Sequence, residues 1–135
     1  MTSEQMYAEV ILDYYRNPRN FGTLKDANAT YRDVNPACGD VAEMFLKVKN
    51  GVIDDIKHTG RGCAISLAAS GMLTELVKGK TIDFARSISK QDMLDALGIP
   101  VSIARLKCAL LGLKVFKCAL YHHMGVHYED VEQQS

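Results

Sequence analysis

Three short stretches put a cysteine in a tight or polar setting. They are Asn35-Pro36-Ala37-Cys38-Gly39-Asp40, Gly60-Arg61-Gly62-Cys63-Ala64-Ile65-Ser66 and Arg105-Leu106-Lys107-Cys108-Ala109. None is a CxxC pair, and they lie far apart in sequence. Thiolates are soft metal ligands, and the first stretch adds a hard one, because Asp40 stands two residues after Cys38. We expect the fold to bring the three cysteines together at one metal site.

Each stretch also has a plainer reading. Pro36 and Gly39 are turn residues between two strand-like runs, so Cys38 is presented at a sheet edge. Asp40 is then close enough to share a metal with Cys38, or it simply serves the turn. Gly60-Arg61-Gly62-Cys63 precedes a helix. The positive end of that helix and Arg61 would lower the Cys63 pKa, and two glycines let backbone approach a ligand. The alternative is a glycine loop with a buried cysteine at the first helical position. Lys107 beside Cys108 would favour a thiolate and reach a ligand; otherwise Cys108 is one more apolar residue of a core stripe. Cys118 is read as core. It follows Cys108 by ten residues, which on one helix is about 15 Å at about 1.5 Å per residue. Both cannot serve one small site unless the helix breaks near Gly112. His58, His122, His123 and His127 have no ligand spacing to the cysteines and read as surface or capping residues.

The elements that must position these residues follow from periodicity. Residues 3–16 read as an amphipathic helix with Met6, Val10, Ile11 and Tyr14 as its apolar stripe. Thr2 or Ser3 caps it, with Gln5 completing a capping box, and Asn17-Pro18 stops it. Strands are expected over 30–34, 42–49 and 52–58. Met44, Leu46 and Val48 alternate with Glu43, Phe45 and Lys47, and Asn50-Gly51 is a hairpin turn. From Cys63 the period changes to helical. Helices are expected over 64–77, 82–86, 90–97 and 102–122, the last apolar over most of its circumference and wet along Lys107, Lys114 and Lys117.

The 135 residues read as one domain over 1–128 with a polar tail over 129–135. Apolar residues make up 47% and charged residues 24%, and the formal net charge is zero, which argues against nucleic acid. No apolar run approaches the roughly 20 residues that span a bilayer, so no membrane role is expected. The N-terminus lacks the features of a signal peptide, so a cytoplasmic, reducing setting is expected. There, cysteines are ligands, reactive thiols or core residues more often than disulfides.

Taken jointly and in this order, the stretches resemble the U-type iron–sulfur cluster assembly scaffolds known as NifU (N-terminal domain), IscU and SufU. The likeness runs from the N-terminal helix through Tyr14-Tyr15-Arg16-Asn17-Pro18-Arg19-Asn20-Phe21-Gly22 to the third cysteine. Asn35-Pro36-Ala37-Cys38-Gly39-Asp40 and Gly62-Cys63-Ala64-Ile65-Ser66 are its specific signatures. It implies an α+β fold, a small three-stranded antiparallel sheet covered by helices, with a long C-terminal helix. It implies that Cys38, Cys63 and Cys108 converge at one exposed end beside Asp40 and hold the metal or a 2Fe-2S cluster. Cys108 would be the sulfur acceptor, with Lys107 assisting, and Asp40 either the fourth ligand or the group that keeps the cluster labile. The implied partners are a cysteine desulfurase and apo iron–sulfur acceptor proteins. A homodimer would fit both the long apolar helix and a weak fourth ligand. The alternative within the family is a zinc-bound, SufU-like sulfurtransferase that uses the same residues, with Zn2+ or Fe2+ in place of the cluster.

Two departures mark this chain. Lys107 stands where IscU members commonly carry a histidine, and Gly98-Ile99-Pro100-Val101-Ser102 stands near the Leu-Pro-Pro-Val-Lys stretch read by a chaperone. The Arg-Leu-Lys-Cys-Ala stretch looks more like the SufU branch. The 44 residues between Cys63 and Cys108 leave no room for that branch's insertion.

Overall fold

The computed structural model describes residues 2–125. The tail expected over 129–135 and His127 lie outside them. Chain order is α1 (Ser3–Arg16), β1 (Ala29–Asn35), β2 (Asp40–Lys49), β3 (Val52–Arg61), α2 (Ala64–Val77), α3 (Ile82–Arg86), α4 (Lys90–Leu97) and α5 (Ile103–His123). The strands form one antiparallel sheet in the order β1-β2-β3, as the hairpin signals require. Asn50 and Gly51 both adopt positive φ at the β2–β3 turn.

Period-2 alternation decides which sheet face is covered. Met44, Leu46, Ile53 and Ile56 are fully buried, whereas Glu43, Phe45 and Lys47 are only half-buried on the other face. Against the inner face lie α2 and α5, which contribute Leu73, Val77, Val115, Phe116 and Leu120 to the same core. Removing a side chain such as Phe116, replaced by Ala, typically costs about 3–5 kcal/mol.

The N-terminal helix forms for the expected reasons. Thr2 caps it, Gln5 completes the capping box, and Asn17 ends it. Its apolar stripe, however, is mostly uncovered. Only Ile11 is buried, while Met6 and Val10 remain 57% and 43% exposed, because the helix meets little besides α2. The loop after it is tied to β3. His58 sits buried under Phe21, its Nε2–H donates to the Arg19 carbonyl at 3.1 Å, and its own backbone pairs with Asn20 and Gly22. Burial disfavours the charged imidazolium and pushes the His58 pKa down.

Helix α5 runs unbroken through Gly112. The glycine is there for closeness. A Cβ at Gly112 would stand 2.4 Å from Ser70 Oγ and 3.2 Å from Ser70 Cα, so α2 and α5 touch backbone to backbone. From Cys108 to Tyr121 most of the apolar circumference of α5 is covered within the chain, against α2, β1, β2 and α4, while Ile103 at its start is 88% exposed. No described helix is long and apolar enough to cross a membrane.

Candidate metal centre

The three cysteine stretches meet at one end of the sheet. The first is the β1–β2 turn, and Asn35 organises it. Its backbone carbonyl accepts from the N–H groups of Cys38 (3.3 Å) and Gly39 (2.7 Å), and its Oδ1 accepts from Ala37 N–H (3.2 Å). This lifts Cys38 into solvent on the turn. Asp40 is not part of the turn. It is the first residue of β2, paired with Asn35 and only 3% exposed.

The second stretch is the β3–α2 junction. Gly62 takes φ +154°, a conformation L-residues avoid, and a Cβ there would lie 2.3 Å from Asp40 Oδ1. The junction therefore needs glycine for backbone geometry and for room. Cys63 is the N-cap of α2 and offers no side-chain cap. Instead its backbone N–H lies 3.3 Å from Asp40 Oδ1, and its Sγ lies 3.9 Å from Asp40 Oδ2. One carboxylate on β2 thus reaches both the start of α2 and the Cys63 thiol.

Helix α5 brings the third cysteine. Cys108, 1% exposed, places its Sγ 3.2 Å from Cys38 Sγ, with Asn35 Nδ2 at 3.9 Å. The ligand atoms of Cys38, Asp40 and Cys108 all lie within 4.8 Å of one another, the one such grouping of His, Cys, Asp and Glu atoms among the described residues. Cys63 joins this trio through Asp40. Cys118 lies elsewhere on α5, fully buried in the core half of the helix. His58 is committed to the Arg19 carbonyl, and His122 and His123 sit in the last turn of α5.

The electrostatics are those of a thiol–carboxylate cluster sharing a proton. Burial works to raise the Asp40 pKa. Hydrogen bonds from the Cys108 and Cys38 thiols and the Cys63 N–H, with the field of Arg105, outweigh it and hold the carboxylate low. Cys108 is pushed the other way, by burial first and then by its bonds to Asp40 and Cys38. It keeps its proton and donates it toward Asp40. The thiolate that Lys107 was expected to favour at Cys108 therefore meets stronger opposing pressures. Successive helical residues are turned by about 100°, and Lys107 lines a groove on the flank with Leu106 and Pro36.

The cation aimed at the cluster is Arg105. Its own pKa is raised by a hydrogen bond to Cys63 and by the charges of Cys63, Cys108 and Asp40. Spacing carried a signal for it, since Arg105 stands three residues before Cys108 and so shares its helix face. Asn35, which builds the turn and touches Cys108, could have been suspected from its place before Pro36.

The chain is similar to known proteins over most of its length. The chain is 40% identical over 121 residues to the iron–sulfur cluster assembly scaffold protein IscU of Aquifex aeolicus, covering 87% of this chain and 76% of that one. It is 37% identical over 131 residues to the zinc-dependent sulfurtransferase SufU of Bacillus subtilis, covering 84% and 88%. The crystal structure of a nitrogen-fixing NifU-like protein (N-terminal) from Brucella abortus superposes with a TM-score of 0.76 at 23% identity, over 90% of this chain and 96% of that one, a likeness of fold. Residues 6–129 match the NifU-like N terminal domain, and the chain belongs to that family.

Proposed function

We propose that this chain is a scaffold on which a 2Fe-2S cluster is assembled and from which it is passed to apo-proteins. In this reading Cys38, Cys63 and Cys108 are the thiolate ligands and Asp40 the fourth. The observation that carries it is the approach of Cys38, Asp40 and Cys108 to within 4.8 Å of one another from distant parts of the chain. The donor chemistry fits: thiolates are the ordinary ligands of iron–sulfur clusters, and a hard carboxylate in a soft set is the weak member. A cluster held that way can leave, as a carrier's cargo must.

Sulfur arrives from a cysteine desulfurase as a persulfide. The outer sulfur passes to Cys108, and the donor cysteine departs as its thiolate. Cys108 suits this role by its place in the cluster beside Cys38, and the proton it releases on attack goes to the departing donor thiolate. The chain is thus a carrier rather than an enzyme, working in a reducing cytoplasm as a domain over residues 1–128. A second reading, a zinc-dependent sulfurtransferase, draws on the same donors, because three thiolates and a carboxylate also make a closed tetrahedral zinc site.

Anaerobic reconstitution with a cysteine desulfurase, cysteine and Fe2+ separates the two. The scaffold gives a brown protein with visible charge-transfer bands. A colourless protein holding about one equivalent of zinc under the same treatment would overturn it for the relay. Asp40→Ala is expected to slow cluster transfer to an apo-acceptor, and an unchanged transfer rate would remove the labilising role.

A further inference from the structure

A persulfide and a cluster do not hold sulfur in the same state. The outer sulfur of a persulfide is two electrons more oxidised than the sulfide of a 2Fe-2S cluster. An assembly site therefore needs two electrons for each sulfur it takes in, and a thiol beside Cys108 can complete that pair. Cys38 Sγ lies 3.2 Å from Cys108 Sγ, within the roughly 3–3.5 Å of reacting atoms held for attack. The two thiols differ in access. Cys38 is exposed on the β1–β2 turn, whereas Cys108 is buried on α5. Cys63 is engaged otherwise, with its Sγ 3.9 Å from Asp40 Oδ2.

We propose that Cys38 is a resolving thiol that releases sulfide from a persulfide on Cys108 and closes a Cys38–Cys108 disulfide. This rests on the reading of Cys108 as the sulfur acceptor and adds an activity to it, persulfide reduction. The Cys38 thiol gives up its proton, and its sulfur attacks the inner sulfur, Cys108 Sγ. The bond between the two cysteine sulfurs forms and the bond to the outer sulfur breaks. The outer sulfur leaves with the electron pair as hydrosulfide and takes up the proton. Each cysteine sulfur is oxidised by one electron and the outer sulfur is reduced by two, so no further oxidant enters. A dithiol reductant then restores both thiols by exchange, entering at exposed Cys38. Geometry selects the inner sulfur as the target. A sulfur bonded to Cys108 at about 2.05 Å does not fit into a gap of 3.2 Å, so it points away from Cys38. Attack on the outer sulfur would only move it to Cys38. Closing the disulfide brings the two sulfurs from 3.2 Å to about 2.05 Å. Cys38 has freedom for that step, because its turn is tied down at Asn35 and its own side is open to solvent.

The test mixes the full chain with a cysteine desulfurase that carries its persulfide and has been freed of excess cysteine. Oxygen and added thiols are absent, and a chelator holds any metal. Sulfide is followed by its colour reaction, and the alkylated, unreduced protein is mapped by mass spectrometry. The unaltered chain is expected to release about one sulfide per chain, in step with a peptide pair joined through Cys38 and Cys108. Cys38→Ala should release sulfide at least about tenfold more slowly and keep the added sulfur on Cys108. Cys38→Ser should match it, since a hydroxyl closes no disulfide, whereas Cys118→Ser should behave as the unaltered chain. A persulfide that persists on Cys108 of the unaltered chain, or that moves intact to Cys38, would overturn the release step and leave Cys108 as the acceptor. A disulfide through Cys63 in place of Cys38 would also overturn it. Absence of added sulfur on Cys108 in Cys38→Ala would sink the acceptor reading, and the release step with it.

Discussion

Helix α5 carries two buried cysteines, and they belong to different chemistry. Cys108 is 1% exposed and Cys118 not at all, so burial does not tell them apart. Their surroundings do. Cys108 faces the Cys38 thiol of the β1–β2 turn, the Asp40 carboxylate at the start of β2 and the Asn35 carboxamide at the end of β1. Cys118 is flanked along α5 by fully buried Val115, Ala119 and Leu120. A thiol is a small hydrophobe or a reactive ligand according to its neighbours. Along this helix, the change occurs within three turns.

The sharpest way to break that contrast is to remove each thiol in turn. Cys108→Ser should take bound iron or zinc to near zero by elemental analysis, while Cys118→Ser retains it. Metal loss in both would place Cys118 in the site. Next in size, Gly62→Ala strains a φ of +154° and drives a methyl group onto Asp40. About 2–4 kcal/mol of stability should be lost in urea titration, with the metal site disrupted too. Cys118→Ser exchanges a fully buried thiol for a more strongly hydrated hydroxyl, and about 1 kcal/mol should go, this time without loss of metal.

A pH titration examines a buried polar group on β3, under α2. The His58 pKa is lowered from 6.5 by burial. The unfolded chain therefore takes up a proton that the folded chain refuses. Its contribution is fully present above pH 6.5 and is lost as pH falls from there to the lowered value. His58→Gln, which keeps a donor for the Arg19 carbonyl, should flatten that part of the stability profile. The smallest effect is expected at Arg105, which is exposed. Arg105→Ala should weaken metal binding about two- to threefold, less in high salt, and Lys107→Ala less again.

Much of this was legible in the sequence, for identifiable reasons. Alternation at Met44, Leu46 and Val48 and the turn at Asn50-Gly51 fixed the hairpin, because only one register buries one face. The convergence of the cysteine stretches was legible only jointly, since each alone also read as core or turn. The misplacements are rotational or local. Lys107 is adjacent to Cys108 in sequence yet lies a third of a turn away, while Arg105 shares its face. Asp40 reads as a turn residue until Asn35 is seen to supply the turn's hydrogen bonds. The exposure of the α1 stripe was hidden for another reason: an apolar period tells which face is sticky but not whether anything covers it.

The contact between Gly112 and Ser70 reaches further than packing. Ser70 stands about two turns along α2 from Cys63, and Gly112 about one turn along α5 from Cys108. The two helices act as the arms of a caliper whose pivot is a bare backbone, and two of the four donors ride near its tips. The pivot's thinness sets the gape of the jaws, and so the girth of whatever they can grip. A thicker residue at position 112 would open the instrument without touching either tip.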